Sequence, residues 1–93
     1  MSTSRLTETA VDARLADGWL RVDGALQKAY EFADFHHTMA FVNALAWIAH
    51  REDHHPDLSV HYGRCVVRYS THSAGGITER DFACAAMIES LGA

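Results

Sequence analysis

The chain has 93 residues, enough for a single domain spanning 1–93 and too few for two, since each would need its own core. Hydrophobic residues at 48% and charged residues at 22% lie close to globular averages and exclude a disordered tail, a collagen and a coiled coil. Eight basic against twelve acidic side chains give a net charge of -4 with one lysine, Lys28; without a basic patch to neutralise phosphates, no direct nucleic-acid binding is expected.

Met1 to Leu6 is small and polar and reads as frayed. A short helix is expected from Glu8 to Ala16, with Thr7 as its cap, Val11 and Leu15 four apart on one face, and Gly18 as the stop. The period then changes to two. Trp19 to Val22 and Ala25 to Phe32 flank Asp23-Gly24, a dipeptide that tolerates the positive φ angles of a tight hairpin. Leu26, Lys28, Tyr30 and Phe32 share one face of the second strand, which should be the buried one, and Ala25, Gln27, Ala29 and Glu31 take the other.

Asp34 is placed to cap a long helix from Phe35 to about Asp53, in which Phe35, Met39, Val42, Ala46 and Ala49 recur at steps of three and four. Phe41, Leu45 and Ile48 widen this stripe beyond what one small sheet covers. A domain of this size also buries only about two thirds of its unfolded surface. Both features point to a homo-oligomer, a homodimer or homotetramer. Pro56 forces His55 away from helical geometry and ends the helix near His54.

A second hairpin follows, with Leu58, Val60 and Tyr62 alternating on one strand and Cys65, Val67 and Tyr69 on the next, around Gly63-Arg64. After the loop Thr71 to Gly76, the last helix opens with Thr78 as cap, Asp81 three residues on, and Ile77 placed to staple against Phe82; Ala83, Met87 and Leu91 continue its inner face. The order α-β-β-α-β-β-α predicts an α+β fold, a four-stranded antiparallel sheet with helices packed on one face. No apolar run approaches the roughly 18 residues of a membrane span, and Met1 to Thr9 lacks the apolar core of a signal peptide, so no membrane partner is expected. The expected location is cytoplasmic, where Cys65 and Cys84 stay thiols and serve as small core residues.

Seven histidines are present, five of them between His50 and His72, and histidine alone has an unperturbed pKa near neutrality. His54 and His55 at the helix exit and His72 in the later loop can meet at one end of the sheet, with Asp81 placed either to cap its helix or to orient a ring. Taken by spacing alone, the same residues read equally as solvated surface histidines. His50 and His54 are four apart, the spacing for chelation with His72 as a third ligand, but no cysteine or further carboxylate is placed to complete the set, and no metal is expected. His36 and His37 read as helix-surface residues, and His61 points to the other sheet face. Trp19 and Trp47 read as core or subunit interface.

The spacing is nevertheless specific: His50, three residues, His54-His55-Pro56, five residues, Tyr62, nine residues, His72, eight residues, Asp81. It resembles the signature of pterin-4a-carbinolamine dehydratases. Trp19, Phe32-Ala33-Asp34-Phe35, Phe41-Val42-Asn43, Thr71-His72, Gly75-Gly76 and Thr78-Glu79-Arg80-Asp81 extend the likeness over nearly the whole chain. The resemblance implies a hydro-lyase that converts 4a-hydroxytetrahydropterin to quinonoid dihydropterin without cofactor or metal, in the recycling of tetrahydrobiopterin beside an aromatic amino acid hydroxylase. It further implies acid/base roles for His54 and His72, substrate binding by His55, and supporting positions for His50 and Asp81. Two residues depart from the pattern. His50 stands where many relatives have Glu, whose carboxylate would favour a protonated His54, and Leu58 stands where some have Trp. The alternative is a non-catalytic binding or dimer-stabilising protein of the same fold, a role known for some relatives.

Overall fold

In the computed structural model, residues 4–92 are described. Three helices, α1 (Glu8–Asp12), α2 (Phe35–Glu52) and α3 (Glu79–Glu89), accompany four strands, β1 (Leu20–Val22), β2 (Ala25–Glu31), β3 (Asp57–His61) and β4 (Arg64–Tyr69), in the order α-β-β-α-β-β-α. The sheet is antiparallel throughout with strand order β1-β2-β4-β3, so the second strand of each hairpin lies inside and the first lies at an edge. The α+β architecture expected from the sequence is the one observed.

Local chemistry accounts for most of the element ends. Asp23 and Gly24 adopt φ of 48° and 76°, which matches the twist of the β1–β2 hairpin. Asp34 caps α2 by accepting from the His37 N–H at 2.8 Å, and Thr78 and Asp81 form a reciprocal capping box on α3. Register then sets the core. Leu26 lies opposite Tyr69 and Tyr30 opposite Cys65, which puts their side chains, with Val67, on the sheet face that packs against Leu45, Ile48 and Ile88 of the helices. Leu26, Leu45 and Ile88 are at most 1% exposed; each such side chain contributes on the order of 1.5–3 kcal/mol. Lys28 shares this face, and its ammonium meets the Glu89 carboxylate, which also accepts from Tyr30 Oη at 2.7 Å and Trp19 Nε1 at 3.0 Å.

Several expectations need correction. Helix α1 stops at Asp12, not Ala16, because the chain must turn there to bring Trp19 into the core, where it is 4% exposed; the Arg21 guanidinium holds Asp12 through two bonds at 2.7 and 3.0 Å. Leu6 is pinned, not frayed: its N–H donates to Ile77 O at 2.8 Å and its side chain packs on the core. Met1 to Thr3 of that segment lie outside the described residues.

The buried face of α2 runs through Thr38, Phe41, Leu45, Ile48 and Ala49. Phe35, Met39, Val42 and Ala46 form a neighbouring stripe that the sheet leaves partly or wholly open, with Phe35 49% exposed. Thr38 can be inside because its hydroxyl reaches Asp34 O at 3.0 Å and Tyr62 O at 2.9 Å. The second hairpin turns at Tyr62-Gly63 instead of Gly63-Arg64, since Arg64 already pairs with His61 and Glu31. Gly63 O accepts from Phe32 N at 2.8 Å, an approach so close that a Cβ on Gly63 would lie 2.8 Å from Phe32 O. The inner face of α3 consists of Asp81, Cys84, Ala85 and Ile88; Ala83 and Met87 flank it, and Leu91 is exposed beyond the helix end. Trp47 is 61% exposed and takes no part in the core. Among the described residues no helix is long and apolar enough to cross a membrane.

Candidate active site

The exit of α2 is built to present two consecutive histidines. Asp53 closes the helix in the left-handed region at φ 50°, a conformation aspartate tolerates, and the His54 N–H returns to Ala49 O at 3.1 Å. The chain then reverses into β3 through Pro56. Arg80, in the first turn of α3, anchors the reversal by donating from Nη2 to Asp53 O at 2.9 Å. His54 turns inward and is 7% exposed, while His55 remains exposed.

Three contacts hold His54. Its Nε2 lies 2.5 Å from Asp81 Oδ1, its ring stacks on Tyr69 at a centroid distance of 5.1 Å and 23° between planes, and the Tyr69 hydroxyl donates to His54 O at 2.9 Å. Burial pushes the Tyr69 phenol well above its ordinary range, so it stays a neutral donor. Asp81 is fully buried. Its Oδ2 accepts from the Thr78 N–H at 2.8 Å and the Thr71 hydroxyl at 2.9 Å, leaving Oδ1 for the imidazole. A carboxylate facing two fixed donors can only accept from the ring, which places a proton on Nε2 and makes Nδ1 the nitrogen that remains for other chemistry. Asp81 thus serves as helix cap and as ring orienter, the two roles between which its sequence position did not choose.

His72 arrives from the other side. Thr71 N donates to Gly76 O at 2.8 Å and Gly76 N to Thr71 O at 3.3 Å, closing a loop whose first residues, His72–Ala74, form one 3-10 turn. His72 is exposed on that turn. Between the two arms lies a cleft of about 300 Å³ whose lining includes Asp53, His54, His55, Thr71, His72 and Arg80, at the lower end of the size range of small-molecule sites. A larger recess of about 370 Å³, bounded by Arg5, Arg21 and Gly75-Gly76, contains none of the histidines.

The fold therefore brings His54, His55 and His72 to one cleft with Asp81 directly behind His54. It does not bring His50 there: that side chain is exposed on α2, its ring 6.1 Å from that of Trp47. His36, His37 and His61 are also exposed away from the cleft, and His37 Nδ1 is engaged by the Asp34 cap at 2.7 Å. Among the described residues no group of three or more His, Cys, Asp or Glu side chains is placed to hold a metal ion. Sequence reasoning did not single out Arg80, Tyr69 or Thr71 for the site. Arg80 and Thr71 lie within the quoted motifs, but Tyr69 carries only the alternation of a buried strand.

Comparison with known proteins bears on family and fold. The family profile described as Pterin 4 alpha carbinolamine dehydratase matches residues 4–91. Relatives that carry the pterin-4-alpha-carbinolamine dehydratase name include one from Xanthomonas oryzae pv. oryzae at 61% identity, covering 86% of this chain and 75% of the relative. Another, from Chromobacterium violaceum, is 64% identical over 78% of this chain and 68% of its own. A crystal structure from Brucella melitensis, described as a transcriptional coactivator/pterin dehydratase, superposes with a TM-score of 0.89 at 34% identity, covering 97% of this chain and all of that one. A pterin dehydratase-like protein described as a RuBisCO assembly factor in the alpha-carboxysome shares the fold alone, with a TM-score of 0.64 at 23% identity over 78% of this chain and 84% of its own.

Proposed function

The chain belongs to the pterin 4 alpha carbinolamine dehydratase family, and from that premise we propose that it dehydrates 4a-hydroxytetrahydropterin to quinonoid dihydropterin by histidine acid/base catalysis. The observation that carries the reading is the convergence of His54, His55 and His72 on one cleft, with the Asp81 carboxylate fixing the tautomer of His54.

The reaction needs little else. The C4a hydroxyl leaves as water once it accepts a proton, the N5 proton is lost, and the electron pair of that N–H bond forms the new C4a–N5 double bond. One donor and one acceptor on either side of the substrate suffice, each worth about 10² to 10⁴ in rate. His54, acting through Nδ1, and His72, on the opposite arm, are the proposed pair. His55, exposed beside them, binds the pterin, and Asp81 is the positioning residue. We place the reaction in the cytoplasm, as one step of tetrahydrobiopterin recycling after an aromatic amino acid hydroxylase. The protein works as a homo-oligomer, which the open apolar stripe of Phe35, Met39, Val42 and Ala46 on α2 supports.

The test is a dehydration assay on freshly generated 4a-hydroxytetrahydropterin. His54→Ala and His72→Ala should each lower kcat by about 10² or more, whereas His55→Ala should mainly raise KM. Full turnover in all three variants would refute the assignment. The coactivator half of the Brucella melitensis protein's description favours a second reading, a binding role; a wild-type protein that does not accelerate the dehydration would overturn the first.

A further inference from the structure

We infer that Thr71 is a positioning residue that couples the two acid/base arms of the site, a step that rests on the roles proposed for His54 and His72. Its side chain belongs to one arm and its backbone to the other. Thr71 is 2% exposed, and its hydroxyl lies 2.9 Å from Asp81 Oδ2 and 2.8 Å from Thr78 Oγ1. Thr71 has one proton to give and the Asp81 carboxylate can only accept, so that proton goes to Oδ2. The Thr78 hydroxyl, which accepts from the Arg80 N–H at 3.2 Å, then gives its own proton to Thr71.

The hydrogen bonds therefore run in one direction, from Thr78 through Thr71 to Asp81, and the other carboxylate oxygen meets His54 Nε2. Rotation of the Asp81 carboxylate would break the bonds from Thr71 and the Thr78 N–H, both of which converge on Oδ2. The backbone of Thr71 meanwhile closes the loop that carries His72, through its paired bonds with Gly76 and the Ala74 N–H donated to Thr71 O at 3.1 Å. Any shift of the His72 loop moves Thr71 and loosens the carboxylate that orients His54. Threonine suits both tasks: its branched side chain fits the extended backbone at φ -107°, ψ 103°, and its hydroxyl supplies the donor.

Thr71→Val keeps the shape and removes the donor, and Thr71→Ser restores the donor. Two measurements are made on each variant and the wild type: steady-state kinetics on 4a-hydroxytetrahydropterin, and the proton resonance of the His54 Nε2–H in histidine-labelled protein. Thr71→Val should lower kcat by about tenfold to a hundredfold, the kinetic equivalent of one hydrogen bond to a charged group. Its KM should stay within about twofold of the wild-type value, since the hydroxyl removed is bonded to Asp81 and Thr78. The Nε2–H resonance should broaden or move upfield in Thr71→Val, and Thr71→Ser should recover both kcat and the resonance. Wild-type kcat and an unmoved resonance in Thr71→Val would overturn the inference. So would parallel losses in both variants that track only the unfolded fraction measured by thermal melting. A wild-type protein without turnover would instead overturn the dehydratase reading, and the resonance would then decide the role of Thr71 by itself.

Discussion

Asp81→Asn exchanges one buried oxygen for an amino group at almost constant shape, and the surrounding hydrogen bonds dictate which one. The Thr78 N–H, 2.8 Å from Oδ2, is a backbone donor with no alternative role, so the amide oxygen must take that position and the NH₂ must face His54. The imidazole Nε2, which gives its proton to Oδ1 at 2.5 Å in the native protein, then has to accept. A neutral His54 would carry its proton on Nδ1, the nitrogen assigned to the substrate, in the tautomer opposite to the one that Asp81 fixes in the native protein. The cost in kcat should be about 10² to 10⁴, the range for losing a correctly poised acid/base group. Stability should fall less, by about 1–3 kcal/mol, because the Thr71 and Thr78 bonds to the amide oxygen survive. In a domain of this length each kcal/mol lowers the Tm by roughly 4–8 °C, which leaves a temperature window for assaying folded protein. The measurements are kcat on 4a-hydroxytetrahydropterin and the ring ¹⁵N shifts of His54. A folded variant with kcat within about threefold of wild type, or one whose ring still carries its proton on Nε2, would refute this account of Asp81.

Two further outcomes concern stability and assembly. Burial alone would raise the Glu89 carboxyl, but the hydrogen bonds from Lys28, Tyr30 and Trp19 outweigh it and hold the group below its ordinary 4.5. A depressed carboxyl stabilises the fold above the unfolded value and loses that contribution as the pH falls through the folded one. Glu89→Gln should therefore be the less stable protein at neutral pH, and the gap should close below pH 4.5; denaturant midpoints that stay equally far apart across that range would show that charge is not the cause. Phe35→Glu places a charge in the open stripe of α2 and should shift the proposed oligomer toward monomer in light scattering. Wild-type particles of monomer mass at every concentration would remove the basis of that prediction.

Element identity was legible in the sequence wherever a neighbour within four residues supplies the decisive contact. Asp34 accepting from His37, the positive φ angles of Asp23-Gly24, and the Thr78–Asp81 capping box are all local hydrogen-bonding or backbone preferences. Alternation and helical period then set the order of elements and the buried face of β2. The histidine pair was legible too, because Pro56 forbids helical geometry at His55 and leaves both rings at the helix exit.

What the sequence could not decide are contacts between residues far apart along the chain. His54 and Asp81 are 27 positions apart, and their bond exists only because the helix-covered sheet brings the end of α2 beside the start of α3. The same packing chose Thr38 over Phe35 for the inside of α2, put Tyr69 under the imidazole, and left His50 facing solvent beside Trp47. A helical stripe records that a face is apolar, but its direction depends on the surfaces that cover it. Leu6 became ordered through a hydrogen bond to Ile77, 71 residues away, which no local pattern at the chain's beginning could signal. Short-range chemistry therefore determined which elements form and which histidines stand at their ends, and tertiary packing determined which carboxylate faces which ring.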